Sequence, residues 1–180
     1  NVHLASISGG TDVVGCLVLG NIFSDVYSGE IQGESLGIDI DIFNDNGKRV
    51  LKNKKGELVI KKPFPTMPIK FWNDPSDIKF KKAYFKRYKN IWHHGDFIQK
   101  TNKNGFIILG RSDATLNPGG VRIGTAEIYR QVENIKYIRE SLVVGKKMDN
   151  DIKIILFVIL HNKNNINNKN IKFIKEKIKK

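Results

Sequence analysis

The run Gly110-Arg111-Ser112-Asp113-Ala114-Thr115-Leu116-Asn117-Pro118-Gly119-Gly120-Val121-Arg122-Ile123-Gly124-Thr125-Ala126-Glu127-Ile128 constrains this chain more than any other stretch. It reads strand, turn, glycine loop, helix. The apolar segment Phe106 to Leu109 stops at Gly110, and Arg111 and Asp113 follow at the reversal. Pro118-Gly119-Gly120 lets backbone approach a ligand closely. Thr125 is the expected N-cap of an amphipathic helix with Ile128 and Val132 on one face. Arg111 and Arg122 bracket the loop, an arrangement suited to a polyphosphate or adenylate. A hairpin corner carrying two surface arginines would use the same residues.

Upstream, the pattern is mostly short strands. Residues 3–8 and 13–19 read as strands about a turn at Gly9-Gly10-Thr11-Asp12, with Cys16 in the apolar second segment as a core residue. Ile38, Ile40 and Ile42 alternate with polar residues, a half-buried strand. Asn44-Asp45-Asn46-Gly47 is a turn signal, and Gly56 to Ile60 begins another strand. Pro63, Pro65 and Pro68 exclude regular structure between them. Ser76 to Tyr88 reads as a helix capped by Ser76, and Trp92–Thr101 with Phe106–Leu109 as a hairpin about Asn102 to Gly105. Beyond Arg111 to Thr115 the pattern becomes helix (Thr125–Asn134), strand (Leu142–Lys146), strand (Ile152–Leu160), Asn-rich loop and helix from Asn170. The fold class expected is α+β. Residues 1–110 would end a large β-rich domain, 111–115 form a hinge, and 116–180 begin a small α+β domain.

A net charge of +13 invites a nucleic-acid reading. The charge comes mainly from lysines travelling with Asn and Ile, as in residues 161–170, whereas nucleic-acid surfaces favour arginines among exposed aromatics. A basic RNA-binding module is therefore the weak alternative, and no nucleic-acid partner is expected. The single cysteine excludes an internal disulfide, and the longest apolar run, Ile154 to Leu160, is strand-sized. These features favour a cytoplasmic protein without a membrane span. The chain begins at Asn1 rather than Met, and a fragment of a longer protein is expected.

Three motifs in order carry a resemblance: Ser8-Gly9-Gly10-Thr11-Asp12, Trp92-His93-His94-Gly95-Asp96, and the opening run from Ser112 to Tyr129. Together they resemble the adenylate-forming enzymes, which include acyl-CoA synthetases, luciferases and peptide-synthetase adenylation domains. The wording of the third motif, with Pro63 to Pro68 and Phe71 to Pro75, is most similar to the acetoacetate-using acyl-CoA ligases. The resemblance implies ATP, acetoacetate and CoA as small-molecule substrates, Mg²⁺ as the accompanying ion, and AMP and pyrophosphate as products. An acyl-CoA ligase for another short carboxylic acid is the neighbouring alternative.

Carried over residue by residue, the resemblance implies the following roles. Gly9, Gly10 and Thr11 lie against the nucleotide, with Thr11 on the α-phosphate. Asp12, where the family commonly has Glu, orients Mg²⁺. Asp96 accepts from both ribose hydroxyls. Arg111 reaches ribose or phosphate, and Arg122 a phosphate. Asp113 is the hinge, acting through its backbone, and Gly120 faces the CoA tunnel. His93 and His94 are read as packing residues. Acetate-using relatives place Trp where Gly9 stands, so Gly9 would leave acyl volume open for acetoacetate. The family's upstream phosphate loop and its downstream catalytic lysine match nothing in these residues, so this fragment alone is expected to be inactive.

Overall fold

The computed structural model describes residues 2–116, 123–148, 151–161 and 167–178. It divides into two compact units, Asn1–Leu109 and Gly110–Lys180.

In the first unit, β1 (Ser8–Gly10), β2 (Gly15–Leu19) and β3 (Gly33–Glu34) form one antiparallel sheet. A second sheet runs in the order β4 (Ile40–Phe43), β5 (Lys55–Ile60), β6 (Trp92–Lys100), β7 (Phe106–Arg111). Ile31 and Phe106 exchange both backbone hydrogen bonds at 2.7 Å, which ties the approach to β3 to the start of β7. Between β5 and β6 lie the proline segment and the helix α1 (Ile78–Tyr84). The core gathers Leu17, Val18, Ile40, Ile42, Leu58, Ile60, Trp92, Ile98 and Phe106. Phe71, Phe80 and Tyr84 close it with edge-on contacts to one another, and Phe85 meets Trp92 edge-on, an arrangement the aromatic quadrupole favours.

Several boundaries differ from the expected ones. The first strand is Ser8–Gly10 instead of residues 3–8, and the turn falls at residues 11–14. Glycine reads as punctuation in sequence, yet Gly9 lies inside the β1–β2 pairing. A Cβ there would stand 2.1 Å from the Gly15 carbonyl oxygen and 2.8 Å from Cys16 Cα, so close strand approach requires its absence. Cys16 is half-buried rather than in the core. Helix α1 is shorter than expected and lacks a Ser76 cap. Asp77 takes the left-handed conformation (φ 54°) at its start, and the buried Asp74 carboxylate accepts the Phe80 N–H at 2.9 Å instead. Burial pushes the Asp74 pKa up, but backbone N–H groups of Phe80, Lys79 and Ile78 outweigh it and hold the carboxyl below its usual range.

One buried charge was not foreseen. Glu57 on β5 is 1% exposed. Its carboxylate accepts from Arg87 Nη1 at 2.5 Å and lies 2.9 Å from His93 Nε2, while Arg87 also reaches Asp45 at 2.6 Å. Tyr88 packs edge-on against His93 and donates to the Asn44 carbonyl. This cluster fastens the segment after α1 to the β5–β6 pair.

In the second unit, β8 (Thr115–Leu116) pairs with β9 (Ile123–Gly124), and β10 (Ile138–Met148) with β11 (Asp151–Leu160). Helix α2 (Thr125–Val132) and helix α3 (Asn168–Ile178) pack with the hairpin through Ile128, Val132, Ile138, Val143 and Ile174. Thr125 is the first helical residue, and the extended Gly124 takes the N-cap position without a side-chain bond. Strand β10 outruns the expected one at both ends and β11 starts one residue early, because each satisfies the other's backbone along eleven and ten residues. An apolar groove of about 670 Å³ lies among Ile128, Ile154, Leu156, Val158, Ile174 and Ile178. No helix among the described residues is long and apolar enough to cross a membrane.

Replacing Glu57 by Ala strands the His93 and Arg87 donors around a buried hole. The expected cost is about 3 kcal/mol, read as a lowered urea midpoint in tryptophan fluorescence.

Candidate functional site

The site in the first unit is built at a bulge. In the β5–β6 ladder Glu57 faces Phe97 while Val59 faces His93, so three residues on β6, His94 to Asp96, oppose Leu58 alone. Gly95 at φ 86° makes the bulge possible, since a side chain there would be strained. The bulge leaves His94 and Asp96 buried, with His94 Nε2 3.6 Å from Asp96 Oδ2. Trp92 Nε1 donates a long bond, 3.4 Å, to His94 Nδ1, which fixes the ring's orientation.

The β1–β2 turn meets this bulge. A Cβ on Gly10 would lie 3.1 Å from His94 Cε1, so the Gly10 backbone rests on that imidazole. Thr11 and Asp12 follow directly and are exposed. Asp12 Oδ1 accepts the Val13 N–H at 3.1 Å, and Oδ2 accepts the Tyr84 hydroxyl at 2.7 Å. The turn of the first motif therefore rests at Gly10 on His94, and His94 Nε2 in turn lies beside the Asp96 carboxylate of the second motif. Asp96 itself is only 6% exposed.

Arg111 and Asp113 belong to the second unit. Arg111 ends β7 and grips Asp113 with two bonds, Nε to Oδ1 at 2.9 Å and Nη2 to Oδ2 at 2.6 Å. The guanidinium holds the Asp113 carboxyl below the usual carboxylate range, outweighing burial. The side chain of Asp113, the expected hinge residue, is thus engaged by Arg111. Gly120 and Arg122 lie outside the described residues.

Among the described residues, no three His, Cys, Asp or Glu side chains gather as a metal cage. Magnesium commonly takes one carboxylate and completes its shell with substrate phosphates and water. An exposed Asp12 with lone pairs to spare beyond its two hydrogen bonds fits that use and no tighter one. His93 meets the Glu57 carboxylate and His94 accepts from Trp92. Sequence reasoning missed Glu57 and Tyr84. Glu57 sits in a strand with no acidic pattern, and Tyr84 reads only as one more apolar helix residue.

In the Gly9 argument, an open acyl volume does not survive the geometry. The Cβ direction at Gly9 points into the β2 backbone, so the space beside it is filled.

No family model matches the chain. In fold, it resembles CoA ligases: an anthranilate CoA ligase structure superposes with a TM-score of 0.74 at 19% identity, covering 97% of this chain and 33% of that one. A benzoate CoA ligase from Burkholderia xenovorans gives 0.73 at 20%, again covering 97% of this chain and 33% of that one. The fold is therefore that of the adenylate-forming enzymes, an α+β arrangement. Sequence narrows it. The chain is 56% identical over 160 residues to the acetoacetyl-coenzyme A synthetase of Rhizobium meliloti, a match that covers 89% of the chain and 24% of that protein. It is 44% identical over 181 residues to the enzyme of Xenopus tropicalis, covering 99% of the chain and 27% of that protein. The acetoacetyl-CoA synthetase structure from Streptomyces lividans superposes with a TM-score of 0.84 at 40% identity, covering 97% of this chain and 26% of that one. The chain belongs to the acetoacetyl-CoA synthetase family and spans about a quarter of the length of the curated relatives it matches.

Two outcomes follow from the site. Gly9→Trp forces β1 off β2, and the expected loss is about 1–3 kcal/mol, seen as a lower thermal midpoint. An unchanged midpoint would show that β1 yields freely. For Asp113 the folded pKa is depressed, so its pairing with Arg111 stabilises above the unfolded carboxylate value of about 3.9 and is lost as pH falls through the lower folded value. Carboxyl NMR should place the Asp113 midpoint below that value, and Arg111→Gln should raise it.

Proposed function

We propose that this chain is part of an acetoacetate–CoA ligase. The parent enzyme would convert ATP, acetoacetate and CoA to acetoacetyl-CoA, AMP and pyrophosphate through an enzyme-bound acetoacetyl-adenylate. Residues 1–110 would be the end of the large nucleotide-binding domain, 111–115 the hinge, and 116–180 an incomplete small domain. The reading is carried by one observation: the Gly10–Asp12 turn lies on His94 beside Asp96, so residues of two sequence-distant motifs converge as one ligand would require.

Forming the mixed anhydride requires the α-phosphate to be held in line with the acetoacetate carboxylate and its developing charge to be neutralised. Backbone at Gly9 and Gly10 would admit the nucleotide closely, and the Thr11 hydroxyl would donate to an α-phosphate oxygen. Asp96 would accept from the ribose hydroxyls, with His94 holding its carboxylate in place. Asp12 would ligate Mg²⁺, which supplies charge neutralisation at the phosphates. Arg111 and Arg122 would add cationic charge at the nucleotide, Arg111 after leaving its fork with Asp113. Rotation about Asp113 would then bring Gly120 to the CoA tunnel, where the absence of a side chain lets the thiol pass. The 180-residue chain by itself would form no adenylate, because residues from the rest of the enzyme are needed.

The full-length parent should release AMP rapidly with acetoacetate and CoA, and much more slowly with acetate or butyrate, in a coupled assay for AMP. Equal or better turnover of acetate or butyrate would replace the acetoacetate reading with a ligase for another short acid. AMP release from the isolated chain would overturn its expected inactivity.

A further inference from the structure

Tyr84 lies outside every motif of the sequence and is the last residue of α1. Its ring stacks flat on Trp92, 3.7 Å between centroids and 12° between planes. Phe71 and Phe80 meet it edge-on at 5.7 and 5.5 Å. A ring held on its face and its edges keeps little rotamer freedom, so its hydroxyl is delivered to a fixed point. That point is 2.7 Å from Asp12 Oδ2. Asp12 otherwise sits in an exposed turn, where an aspartate samples several rotamers. With the Val13 N–H on the other oxygen, both ends of the carboxylate are held. The bond is of the short, charge-assisted O–H···O⁻ kind, stronger than a neutral one.

We infer that Tyr84 is the positioning residue for Asp12, holding its carboxylate in the orientation in which it meets the metal-bound phosphates of ATP. The clamp reaches further back, since Asp74 fixes the start of α1 by accepting the Phe80 N–H and so sets where the helix end can lie. It also reaches forward, since the same Trp92 that carries Tyr84 donates to His94 beside Asp96. The nucleotide turn and the bulge thereby share one aromatic support. This inference rests on the ligase reading above for what Asp12 binds.

The test uses the full-length parent enzyme with Tyr84→Phe, Asp12→Asn and the double variant. Phenylalanine keeps the stack on Trp92 and removes only the hydroxyl, so the thermal midpoint should hold. Calorimetric titration with MgATP should show binding weakened roughly tenfold in Tyr84→Phe, with little change for ATP in EDTA. In the Asp12→Asn background the same replacement should add little further loss. Amide exchange over Gly10 to Val14, measured without nucleotide, should quicken in Tyr84→Phe. Unchanged MgATP affinity, an equal loss in the Asp12→Asn background, or unchanged exchange at the turn would overturn the positioning role while leaving the ligase reading intact. A wild-type enzyme that binds no MgATP would overturn both.

Discussion

The three-against-one bulge in β6 is the constraint on which the rest of the first unit depends. An unbroken ladder would have kept β6 flat against β5 and carried each side chain to alternate faces. With Gly95 at φ 86°, the strand instead bends and turns His94 and Asp96 inward while Trp92 stays in the core. Three consequences meet there. Trp92 gives Tyr84 a face to stack on, His94 gives the β1–β2 turn a surface to rest on, and Asp96 is held in low dielectric beside an imidazole.

The same bulge explains why Glu57 tolerates burial. It occupies the register position at which normal pairing resumes, opposite Phe97, and His93 on β6, paired with Val59 two positions further along β5, faces it with an imidazole nitrogen. Arg87 completes the arrangement from the segment that follows α1. One irregularity in one strand thus organises both a polar cluster that fixes the fold and the candidate nucleotide side of the unit.

Much of this was legible in the chain. The isoleucines at 40 and 42, the turn at 44–47 and the hairpin about Asn102 to Gly105 appear where periodicity puts them, whereas Ile38 precedes the strand and Asp41, expected on an open face, is buried. Local rules failed where neighbouring backbone decides. Gly9 and Gly10 read as a turn because glycine breaks strands in general, yet here the missing side chain of Gly9 lets β1 lie against β2 and that of Gly10 makes room for Asp12 and His94. Ser76 read as a cap because serine caps helices, but Asp74 reaches the same helix start from further back. Tyr84 and Glu57 were invisible as polar players, since their partners Asp12, Arg87 and His93 lie 30 or more residues away. Motif order marks the candidate nucleotide residues, whereas the residues packed beneath them lie far away along the chain and carry no local signal.

The β10–β11 hairpin of the second unit has apolar residues on both faces. Ile154, Leu156 and Val158 pack inward, while Leu142, Phe157 and Ile159 stay open to solvent, and the groove beside α3 is equally oily. Such surfaces make a polypeptide sticky toward its own copies. The surplus of lysines then acquires a colloidal meaning: at a net charge of +13, copies of the chain repel before their greasy patches can meet. Screening by added salt would remove that protection first, and clumping in brine would appear well before any unfolding.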